Sequence, residues 1–252
     1  MFGRFSAIAW ERDYRRTVAD AFSRVPFYRD QWVAAGHELE EPVPTPSEEL
    51  TGQLHRLCPF AAPYDPAREP SLWIGAADEL REALALTGAP RSAPVLEVRQ
   101  AVLDRRTLGR RGPRYGVLLA TGARVVHERR RRELNAPALD VARQAGAAVL
   151  VGEQEQITRF LPELDGVDVT PIAHGEAVAF DPHLGYFGAR ASCGGLHLLW
   201  RRFHVKQSGA GPCVTALRRR RPTLAGIVPA GRERDVTGLC REHGTPILGV
   251  TP

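Results

Sequence analysis

Residues 136–171 read APALDVARQAGAAVLVGEQEQITRFLPELDGVDVTP. Helical spacing over Ala136–Ala145 gives way to a short apolar run, Ala148–Val151, then to a second helical stretch, Glu153–Leu161, and to a further strand, Val167–Pro171. Strands that alternate with helices in this way predict an α/β fold. Towards the N-terminus the same pattern continues through strands at Gly116–Leu119, Val95–Val98 and Leu72–Ile74 and a helix over Ala77–Leu86. From His183 the texture changes. Gly185–Ala189, Leu196–Phe203, Cys213–Leu217 and Leu224–Val228 read as short antiparallel strands between Gly and Arg turns, followed by a helix over Arg234–Glu242 and a strand at Pro246–Val250. At the start of the chain Ile8, Trp10, Tyr14, Val18, Ala21, Phe22 and Val25 recur at helical spacing; Pro26 ends that helix and a shorter one runs to Trp32. Thr45–Glu48 starts another helix towards Leu57, and the proline-rich stretch 59–70 marks a soft boundary. The expected architecture is an N-terminal helical cap over 1–60, a mixed α/β sheet region over 61–182 and a small antiparallel β-rich subdomain over 183–252, packed as one compact unit.

The chain has 252 residues, 43% of them hydrophobic and 25% charged, enough to bury a substantial core. Its longest apolar runs fall far short of the roughly 20 residues that a membrane span needs, and the first residues do not resemble a secretion signal, so a cytoplasmic protein without membrane contact is expected. A net charge of +5 invites a nucleic-acid reading. The cations argue against it. All but Lys206 are arginine, as a GC-rich genome produces, and the clusters Arg129–Arg132 and Arg218–Arg221 lack the interleaved aromatics on which bases stack. Four cysteines, at 58, 193, 213 and 240, are too few and too scattered for a disulfide scaffold.

The chemistry-bearing residues concentrate between His183 and His204. Ser192-Cys193-Gly194-Gly195-Leu196-His197 places a thiol in a glycine turn with an imidazole four residues on. Three readings stay open. Cys193 is a packed thiol, or a nucleophile activated by His197 or His204, or a metal ligand. For the last, Cys193-x-x-x-His197 and Cys240-x-x-His243 together supply the two sulfurs and two nitrogens that a tetrahedral structural zinc prefers. The catalytic and metal roles of Cys193 exclude each other. His174-Gly175-Glu176 follows a strand, so Glu176 is either a residue at the sheet's carboxyl end, where α/β proteins bind ligands, or an exposed turn glutamate. Phosphate-binding loops of the G-x-x-x-x-G-K-[ST] and G-x-G-x-x-G types are missing, as are G-x-S-x-G and H-E-x-x-H.

The segment Arg24-Val25-Pro26-Phe27-Tyr28-Arg29 resembles the N-terminal helix of phenylacetate–CoA ligase-like members of the adenylate-forming (acyl-CoA synthetase) superfamily. Ala148–Glu153 resembles that family's strand before a helix, and His174-Gly175-Glu176 its G-G-E turn. Cys193–His197, Phe203–Val205, Val214–Leu217 and Pro222–Leu224 follow the order of its later motifs. The resemblance covers about half the chain and implies part of the large domain of such enzymes. It also implies a structural zinc near Cys193 and His197, with Cys240 and His243, or Cys213, in place of the family's later cysteine pair.

The departures bear on activity. The phosphate loop is absent, Tyr186-Phe187-Gly188-Ala189-Arg190 lacks the magnesium-holding Glu of the family's Tyr-Gly-x-x-Glu, and Leu224-Ala225-Gly226-Ile227 replaces its ribose-binding aspartate. Adenylation needs cations and oriented N–H groups around a polyphosphate, so ATP is not an expected cofactor. The resemblance therefore implies a truncated, degenerate relative that binds an acyl or aryl thioester on CoA or a carrier protein, and its composition and substrate class point to actinobacterial specialised metabolism. Gly175, Glu176, Tyr186, Gly188, Arg218 and Arg219 are the expected substrate-binding residues, with the arginines facing a CoA phosphate or an acidic carrier protein. The alternatives are an acyltransferase or cyclising enzyme using Cys193 with His197 or His204, and a non-catalytic partner of a biosynthetic ligase or synthase. Homo-oligomers are compatible with either.

Overall fold

A computed structural model of the chain describes residues 4–65, 77–100, 109–112, 114–121, 127–230 and 234–250. In chain order the elements are α1 (Ala7–Arg24), α2 (Pro26–Ala34), β1 (Thr45–Pro46), α3 (Ala77–Thr87), β2 (Val95–Arg99), β3 (Gly109–Gly112), β4 (Tyr115–Leu119), α4 (Glu128–Ala145), β5 (Ala147–Gly152), α5 (Gln154–Phe160), β6 (Asp168–Ala173), β7 (Val178–Asp181), β8 (Gly185–Arg190), β9 (Leu196–Leu198), β10 (Phe203–Ser208), β11 (Gly211–Ala216), β12 (Ile227–Val228), β13 (Arg234–Leu239) and β14 (Pro246–Val250). The fold is α/β, as the sequence predicts. The expected strand at Leu72–Ile74 lies outside the described residues.

The chain divides into two units, one made of Met1–Ala83 with Ala179–Pro252 and the other of Leu84–Val178. The residues of the expected helical cap and of the expected β-rich subdomain fall in the first unit, and those of the expected sheet region in both. The second unit carries a sheet in the order β3-β4-β2-β5-β6, parallel from β4 through β6, with β3 antiparallel at one edge. Leu96, Leu118, Leu150, Leu139, Ile157 and Phe160 build its core between sheet and helices. Helix α4 lies so close to β4 that a Cβ on Gly116 would come within 2.7 Å of Ala138 Cβ, which is why a glycine stands there.

The first unit holds two sheets, β1-β12-β11-β10 and β13-β14-β9-β8-β7. Helix α1 starts at Ser6, whose hydroxyl caps Ala9 N–H, and buries Tyr14, Val18, Ala21 and Phe22. Its Trp10 indole donates to Phe203 O at 2.9 Å. Pro26, in the first turn of α2, has no N–H to lose there, and the buried Tyr28 hydroxyl accepts from Ala225 N–H at 2.8 Å. Asp181, fully buried, accepts from Ser47 Oγ and from the N–H groups of His183, Leu184 and Ala230 at 2.8–2.9 Å, tying distant segments together.

Three expectations need correction. The helix expected over Arg234–Glu242 is instead β13 followed by a turn: Gly238 sits at φ +134°, the register with β14 shifts there, and such a residue does not continue a helix. The strand expected over Leu196–Phe203 is broken by a turn in which Arg202 N–H and Phe203 N–H both reach Leu199 O, so β9 and β10 enter different sheets. The helix expected from Thr45 to Leu57 is two single 3₁₀ turns, Ser47–Leu50 and Leu54–Leu57, separated at Gly52, which adopts φ +79°.

Candidate metal centre

Two turns build the site. The turn between β8 and β9 closes with Gly194 N–H donating to Ala191 O and Ala191 N–H to Gly195 O, and Gly194 takes φ +80°, a conformation glycine adopts without strain. It presents Cys193. The turn between β13 and β14 closes with Cys240 N–H to Thr245 O and Gly244 N–H to Cys240 O; it presents Cys240 and His243. Strand β9 carries His197 and pairs with β14 over only two residue pairs, Leu196 with Leu248 and His197 with Ile247, so both turns flank that short ladder. A Cβ on Gly195 would lie 3.1 Å from Ile247 Cγ2 and 3.5 Å from both Cys193 Sγ and His197 Nε2, which marks how closely the pieces approach.

One ligand atom from each of Cys193, His197, Cys240 and His243 lies within 4.8 Å of all the others. Tetrahedral zinc with Zn–S near 2.3 Å and Zn–N near 2.0–2.1 Å sets its sulfurs about 3.8 Å apart and each sulfur about 3.6 Å from a nitrogen. The two sulfurs stand 3.8 Å apart, and Cys240 Sγ lies 3.5 Å from His243 Nδ1. Cys193 Sγ is nearer to His197 Nε2, at 3.0 Å, the length of a hydrogen bond. The donor set and its spacing fit zinc.

The surroundings agree with that chemistry. His197 is fully buried, its Nδ1 is 2.8 Å from Thr245 Oγ1, and burial above all lowers its basicity, which favours the neutral ring that a ligand must be. The His243 ring, on the far side of its ligand nitrogen, has Nε2 3.6 Å from Glu242 Oε1. The Cys240 thiol is pulled down to about 7 by the His243 backbone N–H first, aided by the His243 ring, the Glu242 N–H and Cys193. The Cys193 thiol moves the other way, raised by burial. Without a cation two adjacent sulfurs do not both ionise readily; a bound cation removes that conflict. Thr245 and Glu242 escape sequence reasoning, Glu242 because it reads as a solvated helix charge.

The other expected site residues lie elsewhere. His204, on β10, sits between the rings of Trp10 and Tyr14, each centroid 4.1 Å away, with Nε2 3.3 Å from Glu11; Cys193 is not among its neighbours. Cys213, on β11, donates to Ser208 Oγ and takes no part in the cluster. Arg219 is committed to the fold, bound to buried Glu79 and to the carbonyls of His183 and Leu184, while Arg218 is exposed. The Tyr186 ring is interior, against Phe180, and a Cβ on Gly188 would lie 3.0 Å from His197 O, so both are packing positions. Gly175, at φ +85°, closes the turn between β6 and β7, Glu176 is exposed beside it, and His174 pairs with Glu153 at 3.0 Å.

No protein-family model and no curated protein sequence matches this chain. Among solved structures it is similar to an open conformation of 2-hydroxyisobutyryl-CoA ligase in complex with 2-HIB-AMP and CoA, with 16% identity and a TM-score of 0.48 over 96% of this chain and 68% of that one. Among the described residues no helix is long and apolar enough to cross a membrane.

Proposed function

We propose that the chain binds zinc through Cys193, His197, Cys240 and His243 in a structural centre, and that the β-rich part held in this way serves an acyl- or aryl-thioester-binding protein that does not use ATP. The observation that carries the zinc reading is the four-donor cluster with its 3.8 Å sulfur spacing. A closed set of two thiolates and two imidazoles leaves no open position, which is the structural rather than the catalytic type of site. The ion would join the β8–β9 and β13–β14 turns, a cross-link that a two-pair strand ladder alone supplies weakly. The thioester reading rests on the sequence motifs from Arg24 to Arg29 and from Cys193 to Leu224 and on the missing phosphate loop. Of the two expected arginines, Arg218 is the exposed one and is left for a CoA phosphate or an acidic carrier protein.

A second reading is favoured by the Cys193–His197–Thr245 chain of contacts at 3.0 and 2.8 Å, the arrangement of a thiol, a base and a hydroxyl that orients the base. In that case Cys193 accepts the acyl group from the thioester, and zinc is not held there. Intact mass spectrometry separates the two. A native mass excess of about 65 Da that disappears on denaturation supports zinc, whereas an acyl adduct on Cys193 that survives denaturation overturns the structural-zinc reading. Titration of the zinc-loaded protein with an acyl-CoA panel tests the ligand: binding that Arg218→Ala weakens supports the thioester reading, and no heat or mass change with any member refutes it.

A further inference from the structure

The four-donor cluster contains a pair of sulfurs that are neighbours in space, 3.8 Å apart, yet 47 positions apart in sequence. They are also unequal in access. Cys193 is partly exposed in a turn that contains two successive glycines, while Cys240, His197 and the rest of the described cysteines are buried. The thiols of Cys58 and Cys213 point to other groups, donating to Leu54 O and to Ser208 Oγ. One pair of sulfurs in this molecule is therefore set to join, and both of its members are metal ligands.

We propose that the centre is redox-sensitive: oxidation joins Cys193 to Cys240 and releases the zinc ion. This deepens the zinc reading above and rests on it. With hydrogen peroxide as the oxidant, the Cys193 thiolate attacks the peroxide O–O bond, giving a sulfenic acid and hydroxide. The Cys240 thiolate then attacks the Cys193 sulfur, forming the S–S bond and expelling a second hydroxide; with hydrogen peroxide, two protons from solvent turn the two hydroxides into water. Each sulfur gives up one electron and the peroxide takes both. To bond, the sulfurs move from 3.8 Å to about 2.05 Å. The Cys193 side supplies the movement, because Gly194 and Gly195 free its backbone and the space beside Gly194 is open. A disulfide sulfur is not a thiolate ligand, so two of the four donors vanish together and the remaining imidazole pair holds zinc weakly. The disulfide would then take over the mechanical link between the β8–β9 and β13–β14 turns, so the fold survives the loss of the ion.

The test uses the full chain in its zinc-loaded form. Native mass spectrometry before any oxidant reports whether zinc is bound, and absence of the excess of about 65 Da at that stage refutes the zinc reading itself. The loaded protein is then treated with stoichiometric hydrogen peroxide. Released zinc is read with a chromogenic chelator and disulfides are mapped by peptide mass. The expected result is one zinc released per Cys193–Cys240 disulfide, reversed by dithiothreitol and added zinc. Zinc retained after peroxide treatment, or zinc released with sulfinic acid or a different pairing in place of this disulfide, overturns the proposal while leaving the zinc reading intact. The Cys213→Ser variant, which keeps all four donors, is expected to respond as the parent does.

Discussion

The hydroxyl of Thr245, fully buried and 2.8 Å from His197 Nδ1, determines which imidazole nitrogen faces the cluster. With zinc on Nε2, Nδ1 carries the proton and donates it to Thr245 Oγ1, so the ring is held in both tautomer and orientation. Thr245→Val keeps the volume and removes the acceptor. The expected outcome is a zinc affinity weaker by roughly 10–100-fold at unchanged stoichiometry, read by chelator competition; Thr245→Ser should restore it, and a valine variant that binds as tightly as the parent refutes this role. His204 shows a different use of an imidazole. Stacked on Tyr14 and packed against the tilted Trp10 ring, with Nδ1 buried and without a hydrogen-bond partner, it faces Glu11, Glu41 and Lys206, and burial first lowers its pKa to about 4. The unfolded chain takes up this proton near pH 6.5 and the folded chain does not, so stability is lost as pH falls from about 6.5 towards about 4. By pH 5 that loss is about 2 kcal/mol, from 1.36 kcal/mol per pH unit. Urea unfolding of His204→Gln against the parent at pH 7.5 and pH 5 checks it: the difference between the two proteins should shift by that amount, and a constant difference refutes it. In the sequence both histidines stand near Cys193 and look equivalent. Only the turn that separates β9 from β10 sends one to the sulfurs and the other to α1.

At the scale of elements, α4 and β4 are joined by a device that the sequence does not advertise. Asn135, fully buried in α4, accepts from Leu119 N–H at 2.8 Å and donates to Leu119 O at 3.0 Å, completing the end of β4 as a neighbouring strand would. Asn135→Ala strands both backbone groups in the core, at about 1–3 kcal/mol for each unsatisfied group. The expected outcome is a destabilisation of about 2–5 kcal/mol in chemical denaturation, with the cost falling on the 84–178 unit; a loss below 1 kcal/mol would show that water reaches Leu119. The helix itself begins at Glu128, eight residues before the start expected from apolar spacing, because the arginine run reads as a solvated face. Arg131 in fact turns inward, 5.3 Å over the Phe160 ring, and pairs with Glu128 and Glu163 at 2.6 and 3.0 Å. Strands with continuous apolar runs, such as β4 and β5, were legible because both faces of a parallel sheet are covered. The β13 strand was not. Its Arg, Asp and Gly carry neither apolar run nor alternation, and its pairing with β14 is a tertiary fact. The four donors of the proposed zinc centre were legible as residue types at metal-ligand spacing, whereas their convergence depends on the β9–β14 ladder that no local pattern announces.

For the molecule as a whole, the order of the chain decides what the metal can hold. The chain starts the first unit, leaves it near Ala83, builds the parallel sheet and returns at Ala179. All four donors of the proposed zinc centre lie on the returning segment. The ties between that segment and the N-terminal part of the same unit are of other kinds: Trp10 to Phe203, Tyr28 to Thr223 and Ala225, Ser47 to Asp181, and Glu79 to Arg219. None of these involves a donor or its turn. Zinc removal by a chelator under reducing conditions should therefore act regionally rather than globally. Amide hydrogen exchange is expected to accelerate in β8, β9, β14 and the two turns between 191 and 195 and between 240 and 245, where the two-pair ladder loses its cross-link. Helix α1 and the sheet of the 84–178 unit should keep their protection, because their hydrogen bonds and core are independent of the ion. A uniform rise in exchange over the whole chain would mean that the ion stabilises one cooperative fold. An unchanged pattern would mean that the β9–β14 pairing holds the turns without it, which would refute the structural role assigned to the centre.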